Sequence, residues 1–281
     1  MIGVTLGLLS AFSFGVSDFV GGIASRRAPA LRVVLVSYPV AMVLLGVLAV
    51  SAGGPLTRGA VFWGLLGGLS QALAAWWFYA ALGAGPIAVV SPLTAVLTAS
   101  VPVAAGIVLG ERPGQVPAVG IGLALIAVVL VSQEATDEDT KPHRFTTKVA
   151  WLAVGSGLAF GLNFVLIDQA PAESRLWPLL FGRISATLLV LGVAAVTRHL
   201  ELPTGFAMRM ALIAALLDAI GNVAMLLALR GSLLSLASVL VSLYPAATVV
   251  LAIVVLRERV HRLQVVGMAL ALVSVAMIAG G

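Results

Sequence analysis

The sequence has no cysteine and very little charge: of 281 residues, 10% are Asp, Glu, Lys or Arg, and 6% are aromatic. The missing thiols exclude disulfides, thiolate nucleophiles and Cys-based metal sites, and say little about compartment. An ordinary soluble domain carries about 25% charged residues, so this chain is not one. Catalytic and nucleotide signatures are missing as well. There is no H-E-x-x-H, no G-x-S-x-G and no G-x-x-x-x-G-K-[ST] loop, and His143, His199 and His261 fall in loops or helix ends. No cofactor or metal is expected, and the chain is not expected to be an enzyme.

What remains is 61% hydrophobic, arranged in apolar runs of about 20 residues with short polar breaks. That is the pattern of a polytopic all-α membrane protein, because helices satisfy every backbone group internally in lipid. A barrel would show alternation in segments of about 10 residues, and none is visible. The net charge of +5 does not point to nucleic acid, since the basic residues sit mostly in turns between the runs. The N-terminus lacks a basic region ahead of its apolar stretch, which predicts a retained span rather than a cleaved signal.

The runs predict ten spans, at about 3–23, 31–52, 59–82, 86–109, 115–132, 149–169, 176–197, 207–229, 232–256 and 262–280. One long polar segment, 133–148, divides the chain into halves 1–132 and 149–281 and reads as a solvated linker. The halves look like copies. An offset of 147 places Ala81–Leu125 on Ala228–Leu272, with 16 of 45 positions identical. The informative matches are Glu111-Arg112 on Glu258-Arg259, Gly120 on Gly267 and Ser91 on Ser238. An offset of 146 aligns Phe14-Gly15 with Phe160-Gly161 and Ser10 with Ser156. Five spans per copy is odd, so the copies enter the membrane in opposite directions. The expected fold is therefore ten transmembrane helices as two inverted five-helix repeats around a central cavity, the plan of alternating-access transporters.

Ten spans in two five-helix halves, Gly110-Glu111-Arg112 and Arg257-Glu258-Arg259 closing the fourth span of each half, and the Phe-Gly pairs of the first span resemble the EamA-type transporters of the drug/metabolite transporter superfamily. The resemblance covers nearly the whole chain. It implies a multi-pass carrier of the bacterial inner membrane, commonly an exporter of amino acids, metabolites or drugs, with a cavity lined by the first four helices of each repeat. It does not name the substrate. The chain departs from the family's tendency to place an Arg in the second span of each half: Arg183 supplies it in the second, where the first has Ser37.

Polar residues inside the runs are the candidate site, because a charge at mid-membrane costs about 2.5–3.5 kcal/mol on insertion scales and faces a bundle interior or a wet cavity. Asp218 stands at the middle of the eighth run, with Asn222 four residues on along the same face, and maps by the 147 offset onto Gln71. Asp218 and Gln71 are expected to face each other across the cavity. Burial favours the neutral acid and a nearby cation the carboxylate, which suits Asp218 to substrate binding or proton coupling; the alternative is a permanently bonded helix clasp. Arg183 needs an anionic partner, from Asp218, Asp18 or a substrate carboxylate. Asp18 and its approximate counterpart Asn163 complete the polar set, with Asp18 read either as a site group or as an interfacial cap. Asp168 reads as interfacial.

Trp76, Trp77 and Tyr79 cover more than one face of the third span, so they read either as a lipid-interface belt or as cavity lining that favours aromatic or cationic solutes. Tyr38 and Tyr244, each followed by proline, raise the same question. Pro92, Pro102 and Pro245 are candidate hinges. Gly64, Gly68, Gly120, Gly155 and Gly161 read as close helix contacts. Orientation is open: the positive-inside rule places both termini outside, whereas the resemblance implies both inside. The expected partners are a small-molecule substrate, membrane lipid and protons, with the chain a monomer or homodimer. An intramembrane enzyme, or a passive channel or scaffold, is the alternative class.

Overall fold

The structure, a computed structural model, describes residues 2–25, 27–84, 87–131, 146–256 and 262–280. The polar linker up to residue 145 and Arg257-Glu258-Arg259 lie outside these, as do the side chains of Tyr79 and Pro92. The described residues form helices joined by short turns: α1 (Ile2–Ser25), α2 (Ala30–Ala52), α3 (Arg58–Ala84), α4 (Ile87–Val108), α5 (Gln115–Val131), α6 (Thr147–Asp168), α7 (Trp177–Val196), α8 (Gly205–Gly231), α9 (Leu234–Val241), α10 (Tyr244–Leu256) and α11 (Arg262–Gly280), with one 3-10 turn at Ala172–Ser174. Six of these are long and apolar enough to cross a membrane: α1, α2, α3, α6, α7 and α8. Shorter apolar stretches occupy Leu93–Val108, Gln115–Leu130, Leu234–Thr248 and Arg262–Ile278.

The helices are apolar nearly all round, and large side chains such as Val43, Val47 and Val50 on α2, Leu188 on α7 and Leu216 on α8 are exposed. In water that surface would be untenable; against lipid it is the expected one. Hydrocarbon outside supplies no hydrophobic force to press helices together, so the contacts rely on small residues and close backbone approach. Ala41, Ala49, Ala60, Ala74, Ala153, Ala186 and Ala211 are all fully buried. Among the described glycines the closest approach joins α3 to α7, where a Cβ on Gly68 would lie 1.8 Å from the Gly182 carbonyl oxygen. No residue but glycine leaves that space open.

The packing pairs elements from the two halves. α1 lies along α8 and α3 along α6; α3 also meets α7, and α2 meets both α7 and α8. α4 packs on α6, while α9 and α10 pack on α1. α5 and α11 pair with each other and contribute none of the polar residues described below.

The contacts recur at the offset read from the sequence. Ser10 Oγ donates to the Gly221 carbonyl at 2.8 Å, and Ser156 Oγ donates to the Ala74 carbonyl at 2.8 Å. Ser17 Oγ donates to the Ala214 carbonyl at 2.9 Å, and Asn163 Nδ2 to the Gly67 carbonyl at 2.8 Å. Gly15 abuts the Tyr244 carbonyl as Gly161 abuts that of Leu97. The side chain that corresponds to Asn163 in these bonds is Ser17, one residue before Asp18.

The ninth apolar run is not one helix. It ends at Val241, turns through Ser242 and Leu243, and restarts at Tyr244. Pro245 has no N–H for the Val241 carbonyl, and its ring would crowd that oxygen. Ser238 and Ser242 turn their hydroxyls back onto the carbonyls of Ser235 and Ser238, at 3.2 and 2.7 Å, which loosens the ladder further. Pro39 and Pro102, by contrast, sit inside continuous helices, and α4 also runs unbroken through Pro92.

α9 is held at its start from the other half of the chain. Glu111, in the turn between α4 and α5, accepts hydrogen bonds from the backbone N–H groups of Leu234 and Ser235, the latter at 3.0 Å. A carboxylate at a helix N-terminus meets both free donors and the positive dipole end. Glu111 thus ties its turn to the other half, whereas Arg112 Nη1 donates to the carbonyls of Ile107 and Glu111 within its own turn, the latter at 3.0 Å.

Candidate functional site

Asp218 lies at the midpoint of α8, 13 residues from Gly205 and 13 from Gly231. Its carboxylate Oδ2 pairs with Arg183 Nη2 on α7. Of the partners open to Arg183 in sequence, Asp218 is therefore the one the structure provides. The guanidinium is almost sealed, with 2% of the side chain exposed against 22% for Asp218. Tyr38 on α2 covers the guanidinium face, its ring centroid 4.8 Å from Arg183 Cζ, a cation–π contact. Asn222, one turn along α8, donates through Nδ2 to the Asp218 carbonyl at 2.8 Å and so keeps to the same face.

Two polar atoms in this neighbourhood are buried without a partner: Arg183 Nη1 and Thr187 Oγ1, one helical turn further along α7. Buried polar groups are nearly always satisfied, so Arg183 Nη1, on a residue that lines the cavity described next, is suited to a further partner. The sequence offers one signal for Thr187, its spacing of four from Arg183.

Beside the ion pair is a small cavity lined by Gly68 and Gln71 of α3, Asn163 and Ile167 of α6, Leu179, Gly182 and Arg183 of α7, and Asn222 of α8. Its volume, about 10 Å³, is at the lower limit for one water. Gln71, Asn163, Arg183 and Asn222, which the sequence singled out separately, thus line one space. Small-molecule sites usually need 300–1,000 Å³, so the bundle is closed around these side chains.

Asp18, on α1, is exposed and lies within electrostatic reach of Asp218 and Tyr38. The local set holds two carboxylates and one guanidinium. Trp76 points outward with 53% of its surface exposed, whereas Trp77 lies against Gly155 on α6, and neither lines the cavity around Arg183. Tyr244 begins α10 at the helix break and is half-buried. Asp168 ends α6 beside Gln169 and does not line the cavity around Arg183. Among the described residues no group of three or more His, Asp or Glu is placed to hold a metal.

A solved structure described only as a crystal structure of a protein shares this fold, with a TM-score of 0.76 and 16% identity over 98% of this chain and 95% of that one. No curated protein matches. The model of the EamA-like transporter family matches residues 1–133 and 147–280, which together span nearly the whole chain. The chain therefore belongs to the EamA-like transporter family, within the drug/metabolite transporter superfamily, and is a membrane transporter of that type.

Proposed function

We propose that the chain is a secondary active transporter that exports a small amino-acid-like or drug-like solute across the bacterial inner membrane by alternating access, coupled to protons. The observation that carries this reading is the Arg183 guanidinium, sealed between Asp218 and Tyr38 with Nη1 unpartnered beside the cavity. Arg183 Nη1 and the Thr187 hydroxyl suit a solute carboxylate, which planar guanidinium binds well. Asp18 suits an ammonium group. A zwitterion would meet both.

Ten spans and two inverted repeats complete the mechanism. The recurrence of the Ser10 and Ser156 bonds, and of the Ser17 and Asn163 bonds, supports two copies that pack first helix against third. With the cavity closed to about one water, solute enters only when one copy rocks against the other. A solute ammonium shared between Asp18 and Asp218 competes with a proton on Asp218, so solute and proton occupy the site in turn and cross the membrane in opposite directions. Release of the solute outside leaves Asp218 free to take a proton, which is given up inside when the next solute binds.

Purified protein in proteoliposomes should show saturable counterflow of amino acids or cationic drugs, driven further by a pH gradient. Linear, unsaturable flux would identify a channel instead. An Asp218→Asn variant should retain counterflow and lose the response to the gradient; full gradient-driven transport by that variant would sink the proton role.

A further inference from the structure

A second pocket lies at one end of the bundle, remote from the Arg183 set, where the α1–α2 turn meets the α7–α8 turn. Its volume is about 330 Å³, within the range of ligand sites, and its lining includes Arg27, Pro29, Arg32, Pro203, Thr204 and Phe206.

Two features give it a positive potential. Two long helices begin at its wall: Pro29 is the N-cap of α2 and Thr204 that of α8, and neither cap supplies a side-chain hydrogen bond. Each helix start then presents free N–H groups and roughly half a positive charge. Two guanidiniums add to this. Arg27 lies over the Phe206 ring, 4.4 Å from its centroid, and Arg32 is held through Nη2 by Glu201. Arg32 Nε is buried and has no partner. Glu201 offsets one charge of the set.

The neighbourhood is also apolar. Leu200, Leu202 and Phe206 are exposed beside the basic groups. A soluble anion would gain nothing from them, whereas a phospholipid presents an anionic phosphate and an acyl chain side by side. The pocket sits at helix ends, where headgroups lie, and basic pockets between membrane helices are known to bind anionic headgroups.

We propose that this pocket binds the phosphodiester of an anionic phospholipid, with Arg27, Arg32 and the starts of α2 and α8 on the phosphate and Leu202 and Phe206 against the acyl chain. Occupancy would satisfy Arg32 Nε and fasten the α1–α2 turn to the α7–α8 turn.

The test is native mass spectrometry of the full chain in detergent, offered equal amounts of phosphatidylglycerol and phosphatidylcholine. Wild type should retain phosphatidylglycerol in excess, by roughly fivefold for each guanidinium engaged. The excess should fall to parity in the double variant Arg27→Gln, Arg32→Gln and should rise in Glu201→Gln, which removes the competing acid and keeps the proposal testable if the double variant does not fold. Parity in wild type overturns the proposal, as does a preference that survives the double variant or falls in Glu201→Gln. Millimolar inorganic phosphate distinguishes the source of the anion. If it displaces phosphatidylglycerol and raises the thermal stability of wild type equally well, the site is for a soluble anion and the lipid assignment fails; if it does neither, the apolar contacts are required, as proposed.

Discussion

Arg183 and Asp218 share one ion pair but not one environment: the guanidinium side chain is almost wholly enclosed, and 22% of the Asp218 side chain is exposed. The asymmetry decides what each contributes. In the closed bundle the enclosed cation keeps only its protein partners, whereas the acid is the more accessible member of the pair. Removing the acid is therefore expected to cost more than removing the pair. Breaking one side of a buried ion pair typically costs about 3–5 kcal/mol, while an apolar replacement of both sides is often neutral. Asp218→Ala should lower the melting temperature in detergent substantially, and Arg183→Met with Asp218→Leu should recover most of the loss without restoring transport. If the double variant melts as low as the single one, the pair is not the source of the cost.

Tyr38 separates ring from hydroxyl as contributors. Its face meets Arg183 at 4.8 Å and its hydroxyl also reaches the guanidinium, so Tyr38→Phe should cost less than Tyr38→Leu, which should lose about 1–2 kcal/mol, the range of a desolvated cation–π contact. Chemical denaturation of the two variants checks this. Equal losses would mean that the hydroxyl, not the ring, supports the guanidinium.

How far the sequence disclosed these relationships follows from what each depends on. Charges within apolar runs stand out because lipid offers them no home, and so Asp218 and Arg183 were visible. Their pairing was not, since it depends on how α7 and α8 rotate about their axes, and Asp18 was an equal candidate. α3 is apolar nearly all round, which leaves no polar face to reveal its rotation; the outward aim of Trp76 and the packing of Trp77 on Gly155 could only come from the structure. Proline signalled hinges at several positions, yet among the described helices the break falls at Pro245, where two serines also weaken the ladder. The offset between the halves was legible, and it carried down to individual hydrogen bonds.

The contact of α3 with α7 admits no side chain at Gly68. A Cβ there would lie 1.8 Å from the Gly182 carbonyl oxygen, and 2.3 Å from Ser185 Oγ. Overpacking a tight contact costs about 1–3 kcal/mol even when neighbours can shift, and here backbone must move. Gly68→Ala should destabilise the protein and disturb Gln71 and Arg183 through the shifted helices. Gly122, with no atom near its Cβ position, is the control, and Gly122→Ala should be neutral or slightly stabilising. Thermal melts of both, with solute binding as a second readout, test the difference.

Glu111 links the two halves through the start of α9, and its loss should be felt there rather than at its own turn. Glu111→Gln retains an acceptor for one N–H but loses the charge, and Glu111→Ala leaves the donors of Leu234 and Ser235 unsatisfied. Losses of a helix cap run to about 0.5–2 kcal/mol, with a further contribution from charge at the dipole. Hydrogen exchange of the α9 amides should therefore accelerate modestly in Glu111→Gln and more strongly in Glu111→Ala, while α5, which follows Glu111 in the chain, stays protected. Faster exchange in α5 with α9 unchanged would show that Glu111 serves its own loop, and that α9, only eight residues long and followed by the break at Ser242, is held by packing alone.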